Sequence, residues 1–204
     1  MYKFDYYTEK DAAAIVNFMK ENSFAIVTAF GENYPVATHI PLEVTEDEAG
    51  RTFLSGHIMK KTDHHKAFEK NENVLVIFNG PHAYISAGWY TTPAIASTWN
   101  YMTVHAKGKI TLLDDAATYT AIKNITNKYE APASAAAFDK MSDSYIQQML
   151  KAIIAFKIEV FSLENTFKLS QNRDKQSAQQ IIKALQQRGD DNSTMIAAEM
   201  MKRV

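Results

Sequence analysis

From Phe24 to Leu113 the chain is written almost entirely in strand period, and helical period dominates only before and after that stretch. Phe24 to Phe30 and Pro35 to Val44 read as two strands joined by the turn signal Gly31-Glu32-Asn33. Thr45 to Gly50 is an acidic turn, and Arg51 to Ile58 is a third strand. Val74 to Phe78 is an unbroken run of β-branched and aromatic type, which predicts a strand buried on both faces. His82 to Ser86 and Thr98 to Leu113 continue the sheet, with one short helix expected around Asp63 to Lys70. Short, mostly antiparallel strands followed by helices imply an α+β fold with one closed or nearly closed sheet.

The flanking helices are legible from caps and spacing. Thr8 reads as an N-cap with Asp11 in the first turn, and Ala12, Ile15, Val16 and Met19 then recur at helical spacing to about Asn22. Helices return at about Asp114 to Tyr129 and at Ser142 to Lys151, the second with Ile146, Met149, Leu150 and Ile153 as its buried stripe. Ala155 to Val160 alternates cleanly, so a late strand closes back with Phe156, Ile158 and Val160 inward. In the tail, Ala178, Ile181, Ile182 and Leu185 form one helical face, Gly189 breaks the run, and Ala197, Ala198 and Met201 lie on the next. No repeat, low-complexity tract or linker divides the chain. One domain over residues 1–204 is expected, a barrel with helical insertions to about residue 170 and a helical pair from about 171.

Composition closes several routes. The chain has 204 residues, 46% hydrophobic and 22% charged, which is the balance of a soluble globular protein. With no cysteine, disulfides, thiolate metal sites, iron–sulfur clusters and cysteine nucleophiles are excluded. Met1-Tyr2-Lys3-Phe4-Asp5 lacks the apolar core of a signal peptide, and no apolar run approaches the roughly 20 residues that span a bilayer. A cytoplasmic protein with no membrane partner is expected. A net charge of −1, with short basic clusters only at Lys60-Lys61 and Lys202-Arg203, gives DNA binding no support.

The chemistry is concentrated in Gly80 to Tyr90 and Thr98 to His105, which hold both tryptophans among tyrosines, histidines and small polar residues. Each large ring there has an apolar body and a polar tip that needs a partner when buried. The mixture suits a flat, partly polar pocket for a planar ligand.

The wording of these stretches resembles the PaiB family of FMN-binding split-barrel proteins. The likeness begins at Met1-Tyr2 and continues through Phe24 to Thr28, Ala37-Thr38-His39-Ile40-Pro41-Leu42 and Leu54-Ser55-Gly56-His57. It goes on through Val76 to Ser86 and Thr98-Trp99-Asn100-Tyr101 to Lys168-Leu169-Ser170-Gln171-Asn172-Arg173. Where the family reads Ser-Pro-Ser-Trp-Tyr, this chain has Ser86-Ala87-Gly88-Trp89-Tyr90. A family Val-Pro is Ala96-Ser97, and an Ala-Arg-x-Asn-Pro pattern becomes Met59-Lys60-Lys61-Thr62-Asp63.

The resemblance implies a split barrel, a homodimer with FMN at the subunit interface, and a role in negative regulation of transcription. It implies cofactor contacts from Thr38, His39, Ser55, His57, Lys60, Lys61, Ser86, Trp99, Asn100, Tyr101, Gln171 and Arg173. Lys60-Lys61 is the candidate for the phosphate, against the reading of a solvated loop pair. Thr38 and His39 lie on opposite faces of a strand, and each also has an ordinary structural reading. Trp99 would stack on the ring and Asn100 hydrogen-bond its edge; in the other reading Trp99 and Tyr101 belong to the core or the dimer interface. Trp89 and Tyr90, in a loop containing Pro93, would form a flap or pack at the rim. Ser86 would give its hydroxyl to the ligand or cap its own backbone.

Other chemistries find less. The six histidines show no metal-ligand spacing, and adjacent His64-His65 on a helix would point about 100° apart. A haem-binding barrel rests on the same histidines. No nucleophile motif, Gly-rich phosphate loop or dinucleotide fingerprint is present, so in an FMN-dependent oxidoreductase or flavin reductase the flavin would carry the chemistry. A barrel without its ligand is the third reading. The helix–Gly–helix tail superficially suits a helix-turn-helix, but its second helix opens Asp190-Asp191-Asn192-Ser193, which would face phosphates with carboxylates.

Overall fold

The computed structural model describes residues 4–92 and 95–204; Met1-Tyr2 of the resemblance and Pro93 of the aromatic loop lie outside them. Seven strands form one sheet: β1 (Phe24–Ala29), β2 (Val36–Pro41), β3 (Glu43–Glu46), β4 (Thr52–Met59), β5 (Asn73–Ile85), β6 (Thr98–Leu112) and β7 (Ile153–Lys168). Their order is β2-β1-β5-β6-β7-β4-β3, and every pair whose register is defined is antiparallel. Among the described residues there are six α-helices: α1 (Ala12–Glu21), α2 (Asp63–Lys70), α3 (Asp115–Tyr129), α4 (Asp143–Ala152), α5 (Lys175–Arg188) and α6 (Asp191–Met201).

The chain falls into two compact units, and β5, β6 and β7 each contribute residues to both. One comprises residues 19–78 and 105–163. Its core holds Ala25, Val27, Leu42, Leu54, Val76, Phe78, Ala155, Phe156 and Ile158, all fully shielded. A satellite cluster of Ile122, Phe138, Ile146 and Leu150 packs α3 on α4. The other unit comprises residues 1–18, 79–104 and 164–204. There Ile85, Ile181, Leu185, Ile196 and Met200 are buried, and Phe18 packs on Phe167 with ring centroids 5.0 Å apart.

Several expected boundaries shift for identifiable reasons. The run from Pro35 to Val44 splits at Leu42, whose N–H bonds the Ser23 carbonyl, so β2 pairs with β1 while β3 pairs with β4. Val74 to Phe78 is fully buried on one face only; Leu75 and Ile77 are half-buried on the other. The cap of α1 is Asp11, whose carboxylate accepts the Ala13 N–H, whereas Thr8 closes a 3-10 turn and bonds the Phe4 carbonyl. Gly189 does end α5, in the left-handed conformation at φ 74°.

Acidic caps give the C-terminal helices a pH signature. The Asp174 carboxylate accepts the Ser177 N–H and hydroxyl and the Thr91 hydroxyl, which brings its pKa down to about 2. Asp190 is lowered in the same way by Ser193. Carboxylates depressed by folding contribute stability that is present above the unfolded pKa and lost as pH falls through the folded one. The expected result is that α5 and α6 lose stability between about pH 4 and pH 2, and that Asp174→Asn weakens this acid dependence. Melting curves of wild type and variant across that range check it.

Candidate functional site

Within the unit of residues 19–78 and 105–163, β4 brings Ser55, Gly56 and His57 to the edge of a depression of about 130 Å³. Pro41 and Glu43 form another side, and α3 covers it with Ala121, Asn124, Ile125 and Lys128. Those four α3 positions follow i, i+3, i+4, i+7 spacing, so one helical face closes the site. A Cβ on Gly56 would stand 2.9 Å from the Phe156 ring and 3.0 Å from the Leu42 side chain, so either side chain would have to shift to admit one. Burial pushes the pKa of His57 down, leaving a neutral imidazole with one donor and one acceptor nitrogen at pH 7.

Thr38 and His39 sit beside each other on β2 but face opposite ways. Thr38 pairs with Val27 on the more buried side, while His39 is exposed opposite Ile26, its ring 6.1 Å from that of Phe24. A ligand on one side of β2 meets only one of them. The ammonium of Lys60 donates to the Leu150 carbonyl at 2.9 Å near the C-terminus of α4, with Asp115 at 3.5 Å. Lys61 is exposed in the left-handed region, φ 66°, and its N–H donates to His65. Neither lysine lines the depression. Lys128 does, and sequence reasoning missed it together with Asn124 and Glu43. The spacing along α3 was available as a signal, but its mixed polarity does not mark a stripe.

The other candidates lie within the second unit. Alternation along β6 exposes Trp99, which neighbours the rings of His82 and Tyr84, and half-buries Tyr101. Asn100, between them, is fully buried. Its amide exchanges hydrogen bonds with the Ser170 hydroxyl at 2.9 and 3.1 Å and donates to the Met200 sulfur. Ser86 caps its own 3-10 turn by accepting the Gly88 N–H. The side chain of Gln171 is tied to its own loop at Leu169 and Phe167. Arg173 lies over the Tyr90 ring, 4.4 Å from its centroid, and Arg188 over that of Trp89.

Two departures from the family pattern answer each other. The Ala87 N–H donates to the Ser97 hydroxyl at 3.0 Å, a bond that neither proline could make. Constraint from two rings is replaced by a hydrogen bond across the loop. Among the described residues no three His, Asp or Glu side chains gather as a metal site, and no helix is long and apolar enough to cross a membrane.

Comparison with known proteins identifies the class. Residues 1–162 match the family model described as "Putative FMN-binding domain". The structure of the FAD and heme binding protein from Mycobacterium smegmatis is similar, with a TM-score of 0.59 and 14% identity over 79% of this chain and 73% of that one. Flavocytochrome Anf3 from Azotobacter vinelandii has a TM-score of 0.58 and 12% identity over 82% of this chain and 72% of that one. The fold is the α+β split barrel. Protease synthase and sporulation protein PAI 2 of Bacillus subtilis is 35% identical over 201 residues, 98% of this chain and 96% of that protein. The chain belongs to the PaiB family of FMN-binding proteins.

The donor set around the Ser55–His57 depression is compatible with FMN. A flavin mononucleotide offers acceptors on its phosphate and ring carbonyls, and donors at one ring nitrogen and the ribityl hydroxyls. Ser55, Asn124 and Lys128 can answer the first kind and Glu43 the second, while Pro41 and Ile125 supply apolar surface.

Proposed function

We propose that this protein is a flavin-linked regulator whose FMN is bound non-covalently between two copies of the chain, with the Ser55–His57 depression as one wall of the site. The observation that carries this reading is the size of the depression. Drug-sized ligands usually occupy pockets of about 300–1,000 Å³, and about 130 Å³ takes only part of a flavin. A second copy would supply the remainder, and within the same unit exposed Phe24 and Phe161 offer apolar surface suited to such an interface.

In this reading Lys128 and Asn124 hold the anionic end, Ser55 hydrogen-bonds it, and neutral His57 orients the ligand without adding charge. Bound FMN supplies hydride or single-electron transfer. Lys60 serves α4, its ammonium donating to the Leu150 carbonyl. Lys128→Ala should weaken FMN binding by about 1.5–3 kcal/mol, the scale of a hydrogen bond to a charged group. An FMN titration at fixed salt reads it, and an unchanged dissociation constant removes Lys128 from the site.

The regulatory role rests on the family resemblance and on the likeness to PAI 2. The α6 N-terminus is poorly suited to read DNA directly. Asp190 caps Ser193, Asn192 accepts the His82 N–H from β5, and Arg188 bonds the Tyr84 carbonyl. Regulation through the flavin therefore does not use that helix in a groove. Protein–DNA binding that weakens with salt and with Asn192→Lys grows stronger would overturn this part. Turnover of a nicotinamide cofactor by the FMN-loaded protein would make it an oxidoreductase instead.

A further inference from the structure

We propose that Arg173 and Lys175 form a site for a phosphate-type oxyanion at the start of α5, in a depression of about 200 Å³ lined also by Ser170, Gln171 and Ala178. The resemblance counts Gln171 and Arg173 among FMN contacts, whereas the reading above gives the flavin's anionic end to Lys128 and Asn124. The loop lies outside residues 1–162, which match the FMN-binding model.

The case rests on charge left without a counter-ion. The guanidinium of half-buried Arg173 has five donors and makes no side-chain hydrogen bond or ion pair among the described residues. It lies over the Tyr90 ring, 4.4 Å from its centroid. Lys175 has no carboxylate partner among them either. The nearest acid along the chain, Asp174, is turned into the helix cap, held by Ser177 and Thr91. Arg203 also lines the depression, but Glu9 and Glu199 neutralise it.

Half-buried Lys168 adds to the excess. Its ammonium donates to the Thr98 hydroxyl, with no carboxylate partner among the described residues. Burial, and then the charge of Arg173, push its pKa down. The Tyr90 hydroxyl is buried and also finds no partner among the described residues. Neighbouring cations withdrawn from water without an acid are costly, and an oxyanion accepting from the guanidinium would relieve that cost. The volume fits a phosphate group rather than a whole nucleotide.

The test uses the full chain and inorganic phosphate as the probe, at constant ionic strength. Calorimetric titration and melting temperature are measured without flavin, with saturating FMN and with saturating riboflavin. Saturable phosphate binding is expected, with Arg173→Gln weakening it about 10- to 100-fold, the range for a hydrogen bond to a charged group. Arg173→Lys should restore only part of it. Lys175→Gln, at an exposed position away from the Tyr90 stack, should also weaken it and serves if Arg173→Gln does not fold.

Binding that persists with saturating FMN supports a site for a separate small anion. Displacement by FMN but not riboflavin, with Arg173→Gln weakening FMN more than riboflavin, supports the same site with the flavin's own phosphate as the source. Absence of saturable binding, or equal binding by wild type and both charge-removing variants, overturns the proposal. Failure of the flavin reading shows separately, as no retained flavin.

Discussion

Replacing Phe156 with alanine should cost about 3–5 kcal/mol, the usual range for truncating a buried phenylalanine, and should leave the protein close to unfolding at 37 °C. Phe156 is fully buried on β7, directly across from Gly56 of β4. Its ring lies 2.9 Å from where a Cβ on Gly56 would be, so the ring fills the space the glycine leaves. It also packs on Phe68 of α2, with centroids 6.3 Å apart. Domains commonly have only about 5–15 kcal/mol of stability, so the loss is a large fraction of the whole. Urea unfolding measures it. Because the two positions share one space, Gly56→Ala should be less harmful in the Phe156→Ala background than in wild type. An additive double-mutant cycle would remove the coupling.

Asn100→Asp should destabilise the protein by about 3–5 kcal/mol at pH 7, the scale of leaving a buried charge uncompensated. The substitution keeps the shape and replaces an amide that donates to Ser170 and Met200 with a carboxylate that cannot donate. Burial raises the folded-state pKa of the new acid above its unfolded value. Its penalty is therefore absent below the unfolded pKa of about 3.9 and grows as pH rises through the folded one. The gap in melting temperature between variant and wild type should narrow as pH falls toward 4. A gap independent of pH would mean that the lost amide donor, rather than the charge, is responsible.

The order of strands and helices was legible because period and turn chemistry are local. Gly189 between two helical faces and the alternation from Ala155 to Val160 needed no tertiary information. The break at Leu42 did, because only the Ser23 carbonyl separates β2 from β3. Nor does the sequence show that β5 runs unbroken through Gly80-Pro81, where a Cβ on Gly80 would stand 2.5 Å from Phe18.

The site was legible in part. Ser55-Gly56-His57 lines a depression, and Lys128 beside it comes from α3, some seventy residues along the chain. Lys60, which follows that motif, donates to the Leu150 carbonyl, a contact that spacing along the chain does not reveal. The pairing of Ala87 with Ser97 likewise depends on a loop closure that spacing alone does not reveal.

The most direct measurement is the visible absorbance of purified protein after FMN addition and gel filtration, with particle mass by light scattering. The account predicts oxidised-flavin bands at one FMN per chain on a particle of two chains. A colourless protein that releases all added FMN, or a flavin-loaded monomer, would contradict a cofactor held between two copies of this chain.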